Sequence, residues 1–289
     1  MRIGELARAK VNLTLVVRGR RTDGYHELES LVTFAEASDV VTIETDAAAG
    51  QLTVSGPSGP DIDGENLLSR TMALLREADP HLRIGAVHLH KNLPVAAGLG
   101  GGSADAAALL RAVRRSSPER AAAIGWLDIA ARLGADVPVC LHDGPALMWG
   151  KGERITPLRS LPALDAVLVN PRRPLATASV FAGLGRGPGP AETLAPTPPA
   201  FADLAGLLDY MRAHGNDLEA PACALLPAVG EIKALLAAQP DCRFAAMSGS
   251  GPTCFGLFSS RDAARVAAAA VAAAKPAWWV ERTVLAGVP

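Results

Sequence analysis

Lys10 and Asn12 sit two residues apart in AKVNLTLVV, a stretch that alternates polar and apolar residues. Such alternation is the pattern of a strand, and period two puts both side chains on one face. A second stretch, Pro94 to Asp105, reads PVAAGLGGGSAD and places Gly98, Gly100, Gly101 and Gly102 just before the apolar run AAALLRAV. A strand-like segment, GAVHLHKNL, precedes it. The local reading is strand, glycine loop, helix N-terminus. Glycine admits a close backbone approach, and the first turn of a helix presents unpaired N–H groups and a positive dipole end. The chemistry this predicts is anion binding, with phosphate the natural anion. A third stretch, Ser248-Gly249-Ser250-Gly251-Pro252-Thr253, has the same small-residue composition. Each loop alone also reads as a plain turn, the first capped by Ser103 with Asp105 in its first turn. Two such loops and a strand-borne lysine in one chain favour a small phosphorylated ligand.

Other residues are open to two readings at this stage. Asp136, in LGADVP, is either a turn aspartate or a carboxylate able to take a proton. Tyr25 and His26 follow the turn signal Asp23-Gly24 and are either a core rim or an aromatic wall. His88 and His90 share a strand face, but no third metal ligand stands at suitable spacing. Neither the G-x-x-x-x-G-K-[ST] loop nor the catalytic and metal-binding signatures of protein kinases occur.

The elements that must carry these residues follow from length and pattern. The 289 residues allow one large domain or two ordinary ones, and 49% are hydrophobic, so a sizeable core is available. A formal net charge of -1 with 20% charged residues predicts no nucleic-acid or membrane surface. Four widely spaced cysteines without a C-x-x-C pair predict reduced, mostly buried thiols in a cytoplasmic protein. No signal peptide is read at the N-terminus, and the alanine run at 267–274 is too weakly hydrophobic to span a bilayer.

Strands are expected over 10–17, 28–34, 39–45, 51–55 and 146–149, and helices over 66–78 and 119–133, the second capped by Gly134. A further strand is expected from Asp165. Residues 183–200, rich in Gly and Pro, are expected as an exposed or disordered loop. Helices around 201–212, 229–239 and 261–274, a strand over 242–247 leading into a second within SGSGPTCFGLF, and a strand over 278–285 complete the second half. Its order, strand-helix-helix-strand-strand-helix-strand, predicts a ferredoxin-like α+β sandwich.

Five blocks together resemble the GHMP small-molecule kinase superfamily: AKVNLTL, RTDGYHELESL, LPVAAGLGGGSADAAALL, LGADVPVCL and MSGSGPTCFGLF. They run from residue 9 to residue 258. The resemblance implies an α+β, two-domain GHMP kinase fold. Residues 1–157 would form an ATP-binding domain like domain 2 of ribosomal protein S5. Residues 158–289 would form a ferredoxin-like α/β sandwich on the substrate side. It implies ATP and Mg²⁺ as cofactors and an alcohol as phosphoryl acceptor. The DGYHELES block narrows the acceptor to a cytidyl-bearing alcohol of isoprenoid precursor synthesis.

The resemblance also implies residue roles. Lys10 and Asp136 align with the family's catalytic pair. Pro94, Val95, Ala96, Ala97, Gly98, Leu99, Gly100, Gly101, Gly102, Ser103 and Ala104 form the nucleotide loop. Asn12, Tyr25, His26, Thr177, Phe181, Gly249, Ser250 and Gly251 line the substrate side, with Tyr25, His26 and Phe181 around the cytosine. Ser103 is the hydroxyl offered to a phosphate oxygen or to Mg²⁺. Ala104 stands where relatives often carry another hydroxyl or amide. A GHMP kinase for homoserine, mevalonate or a sugar, or a nucleotide-binding module without catalysis, is the alternative. Oligomeric state has no sequence signal.

Overall fold

A computed structural model of the chain describes residues 1–47, 50–61, 66–187, 189 and 195–286. Two compact units interleave along the sequence: one takes residues 1–9, 38–95 and 100–143, the other 10–37, 96–99 and 144–289. Strands β1 (Arg2–Asn12) and β3 (His26–Glu44) each run from one unit into the other and pair with one another.

In the first unit, β4 (Leu52–Ser55) pairs in parallel with β5 (Ala86–His90), and β5 pairs antiparallel with the end of β3, from Val40 to Glu44. Helix α1 (Leu67–Ala78) begins where the side chain of Asn66 accepts the Ser69 N–H, a side-chain cap of the usual kind. Helix α2 (Gly101–Ser116) follows the glycine loop and packs on α1 and on α5 (Val137–His142). Five alanines in α2, all of them fully buried or nearly so, keep its surface thin enough for neighbours on several sides. Between them lie α3 (Pro118–Ala121) and α4 (Trp126–Leu133).

In the second unit, β2 (Val16–Arg20) and β6 (Ala146–Gly150) pair with the start of β3, and β7 (Arg154–Pro157) pairs with β6. Strands β8 (Leu164–Asn170), β9 (Cys242–Met247), β10 (Cys254–Phe258) and β11 (Trp279–Ala286) form the antiparallel order β11-β8-β10-β9. Numbered within this half, that order is 4-1-3-2, the ferredoxin-like arrangement expected from the pattern. Helices α6 (Thr177–Gly183), α7 (Leu204–His214), α8 (Glu219–Leu225), α9 (Ala228–Ala237) and α10 (Arg261–Ala274) belong to this unit. Val180 of α6, Val229, Ile232 and Leu236 of α9, and Ala264, Ala267 and Val271 of α10 share one apolar cluster with Val167, Val169 and Met247 of the sheet.

Several expectations are corrected. The strands expected over 28–34 and 39–45 are one 19-residue strand. Polar Glu36 and Ser38 read as a break, but Ala35 pairs with Leu285 and the Ala37 N–H donates to Thr283 Oγ1, so a distant strand holds the segment extended. The strand expected over 10–17 begins earlier and stops at Asn12. The Leu13 and Thr14 N–H groups both turn to Leu31 O, and the Leu15 N–H to Gly215 O. The helix expected over 119–133 is two helices with Gly125 between them, and Trp126 Nε1 closes the break on Ala121 O. Gly134 does end α4, in an extended conformation. Helices α5, α6 and α8 and strand β7 had no sequence expectation. Within the expected loop at 183–200, residues 188 and 190–194 lie outside the described residues. Gly187 O accepts the Arg20 N–H, and the Gly189 N–H donates to Arg20 O. All four cysteines are free, with Cys140 and Cys254 buried and Cys223 and Cys242 half-buried.

Backbone approach is tightest at Gly85, just before β5. Its φ is +63°, and a Cβ there would lie 2.0 Å from Glu44 O. Gly102, by contrast, meets nothing within 4 Å. Gly85→Ala is expected to lower unfolding free energy by upwards of about 2 kcal/mol, because left-handed strain and a backbone clash add. Gly102→Ala should leave it unchanged or raise it by about 0.5–1 kcal/mol, since alanine suits a helix interior better. Urea unfolding of the two variants checks the contrast.

Candidate active site

Strand β1 ends at the residues with chemistry. Lys10 and Asn12 are both 4% exposed. Lys10 Nζ donates to Asn12 Oδ1 at 3.2 Å, and Asn12 Nδ2 donates to Ser30 Oγ at 2.7 Å. Those two bonds fix the Asn12 amide in one orientation. The backbone of β1 meets the glycine loop: the Lys10 N–H donates to Leu99 O at 2.9 Å. Ser248 Oγ accepts the Asn12 N–H at 3.1 Å and donates to Gly98 O at 3.2 Å, and the Thr253 N–H donates to Ala97 O at 3.2 Å. Three consecutive loop carbonyls are thus held by β1 and by the 248–253 loop. Only glycine suits position 98, where φ is +73° and a Cβ would lie 2.5 Å from Gly251 O. Gly249 lies over Asn12, its notional Cβ 3.2 Å from Asn12 Oδ1.

Helix α6 connects this cluster with the aromatic residues. Thr177, its first residue, shares a 2.8 Å hydrogen bond with Ser250. One turn on, Phe181 stacks on His26 with ring centroids 4.9 Å apart and planes 28° from parallel. Positions i and i+4 share a helix face, so one short helix orients both contacts. Tyr25 is exposed, with Lys151 Nζ 5.0 Å from its ring centre. Burial, and then the charge of Arg20, hold the His26 imidazole below the ordinary histidine range. Neutral at pH 7, it presents one ring nitrogen as donor and one as acceptor. A base between His26 and Phe181 requires those rings to part by the thickness of the base.

The remainder of the glycine loop belongs to the first unit. Pro94 is buried, Val95 is exposed, and Gly100 caps α2 in a left-handed conformation, φ +62° and ψ 21°, while Ala96, exposed as well, falls with 97–99 in the second unit. The Ala104 N–H is bonded to Gly100 O, so the first turn starts at Gly101. Ser103 is therefore a half-buried residue inside the first turn and not the cap. Asp136 opens α5, half-buried, and serves the helix with its carbonyl, which accepts the Cys140 N–H.

Sequence reasoning missed a buried charge cluster beneath this turn. Lys91 Nζ, just past β5, lies 2.6 Å from Asp39 Oδ2 on β3 and 2.7 Å from Asp105 Oδ2 on α2. Asp39 Oδ1 also accepts the N–H groups of Asn92 and Leu93. Asp105 Oδ1 is buried with no hydrogen-bond partner. The sequence pattern predicts Asp105 as a first-turn dipole partner. It lies in the second turn and is spent on Lys91. Ser248 was missed too, although SGSG contains it. Nothing in the local pattern singles out which serine reaches back to β1.

Comparison with known proteins fixes the family. The model for the GHMP kinases N terminal domain matches residues 66–144 and that for GHMP kinases C terminal matches 199–277, together more than half of the chain. The chain belongs to the GHMP kinase family. A relative from Parvibaculum lavamentivorans named 4-diphosphocytidyl-2-C-methyl-D-erythritol kinase is 47% identical over 99% of both chains. One of the same name from Methylobacterium radiotolerans is 50% identical over 98% of this chain and 99% of its own. A crystal structure titled 4-(cytidine 5'-diphospho)-2C-methyl-D-erythritol kinase superposes with a TM-score of 0.78 at 36% identity, over 99% of this chain and all of its own. A homoserine kinase from Cytophaga hutchinsonii shares the fold at 18% identity and a TM-score of 0.70, over 99% of this chain and 95% of its own. The fold is thus the two-domain GHMP kinase fold, and membership carries ATP as co-substrate.

The charge cluster under α2 has a measurable signature. Burial raises the Asp105 carboxyl to about 7, an effect that Lys91 opposes and Asp39 reinforces. The two carboxylates, outweighing burial, hold the Lys91 ammonium above its ordinary value. A folded-state acid raised above its unfolded value loses stabilisation as pH rises from the unfolded pKa to the folded one. Wild-type stability is expected to fall between about pH 4 and pH 7 through this group, and Asp105→Asn to remove that slope. Lys91→Met, which strands two buried carboxylates, should cost about 3–5 kcal/mol at pH 8. Urea midpoints across the pH range check both.

Proposed function

We propose that the chain transfers the γ-phosphoryl group of ATP to the 2-hydroxyl of 4-diphosphocytidyl-2-C-methyl-D-erythritol, a step of non-mevalonate isoprenoid precursor synthesis. The observation that carries this is full-length identity of 47–50% to relatives bearing that name. The Tyr25, His26 and Phe181 group supports it, because stacking rings and a neutral imidazole suit a pyrimidine. Kinases for homoserine or mevalonate share the fold alone.

In this reading residues 1–157 supply most of the nucleotide site and 158–289 the substrate side. Backbone N–H groups at 100–103 hold the phosphates at the start of α2. Asp136 takes the proton of the acceptor hydroxyl as its oxygen bonds to the γ-phosphorus, and the bond to the β-phosphate oxygen breaks to release ADP. Lys10 offsets charge on the transferring group, and Asn12 orients the hydroxyl. Thr177, Gly249, Ser250 and Gly251 shape the substrate side. Among the described residues no three His, Cys, Asp or Glu side chains converge as a metal cage. Mg²⁺ is assigned to the nucleotide, with the Ser103 hydroxyl the group the loop would offer it.

Turnover with ATP and a panel of alcohols tests the reading. The cytidyl-bearing acceptor is expected to be the good substrate and its product to gain the mass of one phosphoryl group. Preference for homoserine, mevalonate or a sugar would replace it, and ATP affinity without transfer to any acceptor would leave a binding module. In the same assay Asp136→Ala should lower kcat by about 10²–10⁴-fold with a modest change in KM. Near-native kcat would remove Asp136 from the mechanism.

A further inference from the structure

We infer that Asn216 is a positioning residue for the substrate side, its carboxamide holding the 248–251 loop in place over Asn12. The inference rests on the proposed role of that loop, and its geometry lies within the second unit. Residues 216–219, Asn-Asp-Leu-Glu, lead from α7 into α8. Asn216 Nδ2 donates to Met247 O and to Gly249 O, each at 2.9 Å. Asn216 Oδ1 accepts the Leu218 N–H at 3.0 Å. These partners admit one orientation of the amide, because the reverse would set its oxygen against two carbonyls.

The residues around Asn216 hold it in turn. The Leu15 N–H donates to Gly215 O at 2.8 Å and the Asp217 N–H to Leu15 O at 2.9 Å, so the backbone on both sides of Asn216 is tied just past Asn12. Asp217 Oδ2 accepts the Val17 N–H at 2.8 Å and Arg186 Nη2 at 2.9 Å. The Leu218 side chain is fully buried, and Glu219 Oε2 accepts the Met247 N–H at 3.3 Å. Met247, the last residue of β9, is therefore gripped at its N–H and at its carbonyl by one four-residue segment. The consequence falls on the loop. Gly249 and Gly251 stand at φ +57° and +78°, and glycine passes between backbone wells at little cost. Fixing the Met247 and Gly249 carbonyls fixes the peptide planes on either side of Ser248-Gly249. Between those planes the Ser248 hydroxyl joins the Asn12 N–H to Gly98 O, and Gly249 lies over Asn12. Beyond them Ser250 meets Thr177. Without the carboxamide the loop keeps the Ser248 N–H on Thr253 O and the Gly251 N–H on Ser248 O, but loses the donor to Gly249 O.

Asn216→Asp tests this, because it keeps the size of the side chain and the acceptor for Leu218 while removing both donors. With 4-diphosphocytidyl-2-C-methyl-D-erythritol at pH 8, its kcat/KM for the acceptor is expected to fall about 10–100-fold, the worth of two hydrogen bonds. KM for ATP should stay within about twofold of wild type, a split that general loosening of the fold would not produce. Amide hydrogen exchange reads the loop without substrate. The Asn12 and Thr253 N–H groups, bonded to Ser248 Oγ and Ala97 O, should exchange about tenfold faster in the variant. Wild-type kinetics in a folded Asn216→Asp, or an equal rise in both KM values, overturns the inference. Wild type inert toward the acceptor removes the proposed reaction instead, and exchange then decides: faster at those two amides supports the positioning role, and equal rates refute it. Should Asn216→Asp not fold, the side-chain amide of Asn216 in ¹⁵N-labelled wild type is observed directly. Its two protons must exchange slowly and shift when the acceptor is added, and fast exchange or unmoved resonances refute the role.

Discussion

Three successive carbonyl groups, those of Ala97, Gly98 and Leu99, hold the glycine loop in place. Each accepts a hydrogen bond from a different source: the Thr253 N–H, the Ser248 hydroxyl and the Lys10 N–H. The loop so fixed leads along the chain into the start of α2. There, helix geometry already guarantees N–H groups without intrahelical partners. Anion binding needs this polarity, and it costs the loop no side chain. Glycine at 98 is the condition, because Gly251 O occupies the space a Cβ would need.

The same bonds fix the residues of chemistry. Asn12 receives Lys10 Nζ on one amide atom and donates to Ser30 from the other, while its backbone N–H reaches Ser248. Burial makes each of these bonds worth more than it would be in water, and makes the loss of one partner expensive. The carboxamide and the ammonium are therefore held by the protein's own bonds. Helix α6 extends that order outward. Its Thr177 touches the 248–253 loop and its Phe181 touches His26, with Val180 anchored in the core between them.

The charge cluster under α2 is a different device. A lysine between two aspartates in an apolar setting fixes the register of β3, β5 and α2 through short, strong contacts. It gains less stability than its distances imply, because three charges lose their hydration. What it provides is a defined seat for the first turn of α2.

Much of this was legible in the sequence, for stated reasons. Glycine spacing, alternation in AKVNLTLVV and the order of elements after Asp165 are local signals, so the two small-residue loops, the lysine strand and the ferredoxin-like half could be read without coordinates. Tyr25, His26 and Phe181 enter only through the family resemblance, and the fold brings Phe181 onto His26. Tertiary structure decided what local pattern cannot encode. Asp39, Lys91 and Asp105 are 52 and 14 residues from one another along the chain and meet only because β3, β5 and α2 pack. The single strand from His26 to Glu44 exists because β11, some 250 residues on, pairs with its polar middle. Ser248 is one of two serines in SGSG, and only the fold assigns it to β1 while Ser250 turns to Thr177. Residue types set which chemistry was available. Long-range pairing and burial set which atoms perform it, since both depend on neighbours that the local sequence does not contain.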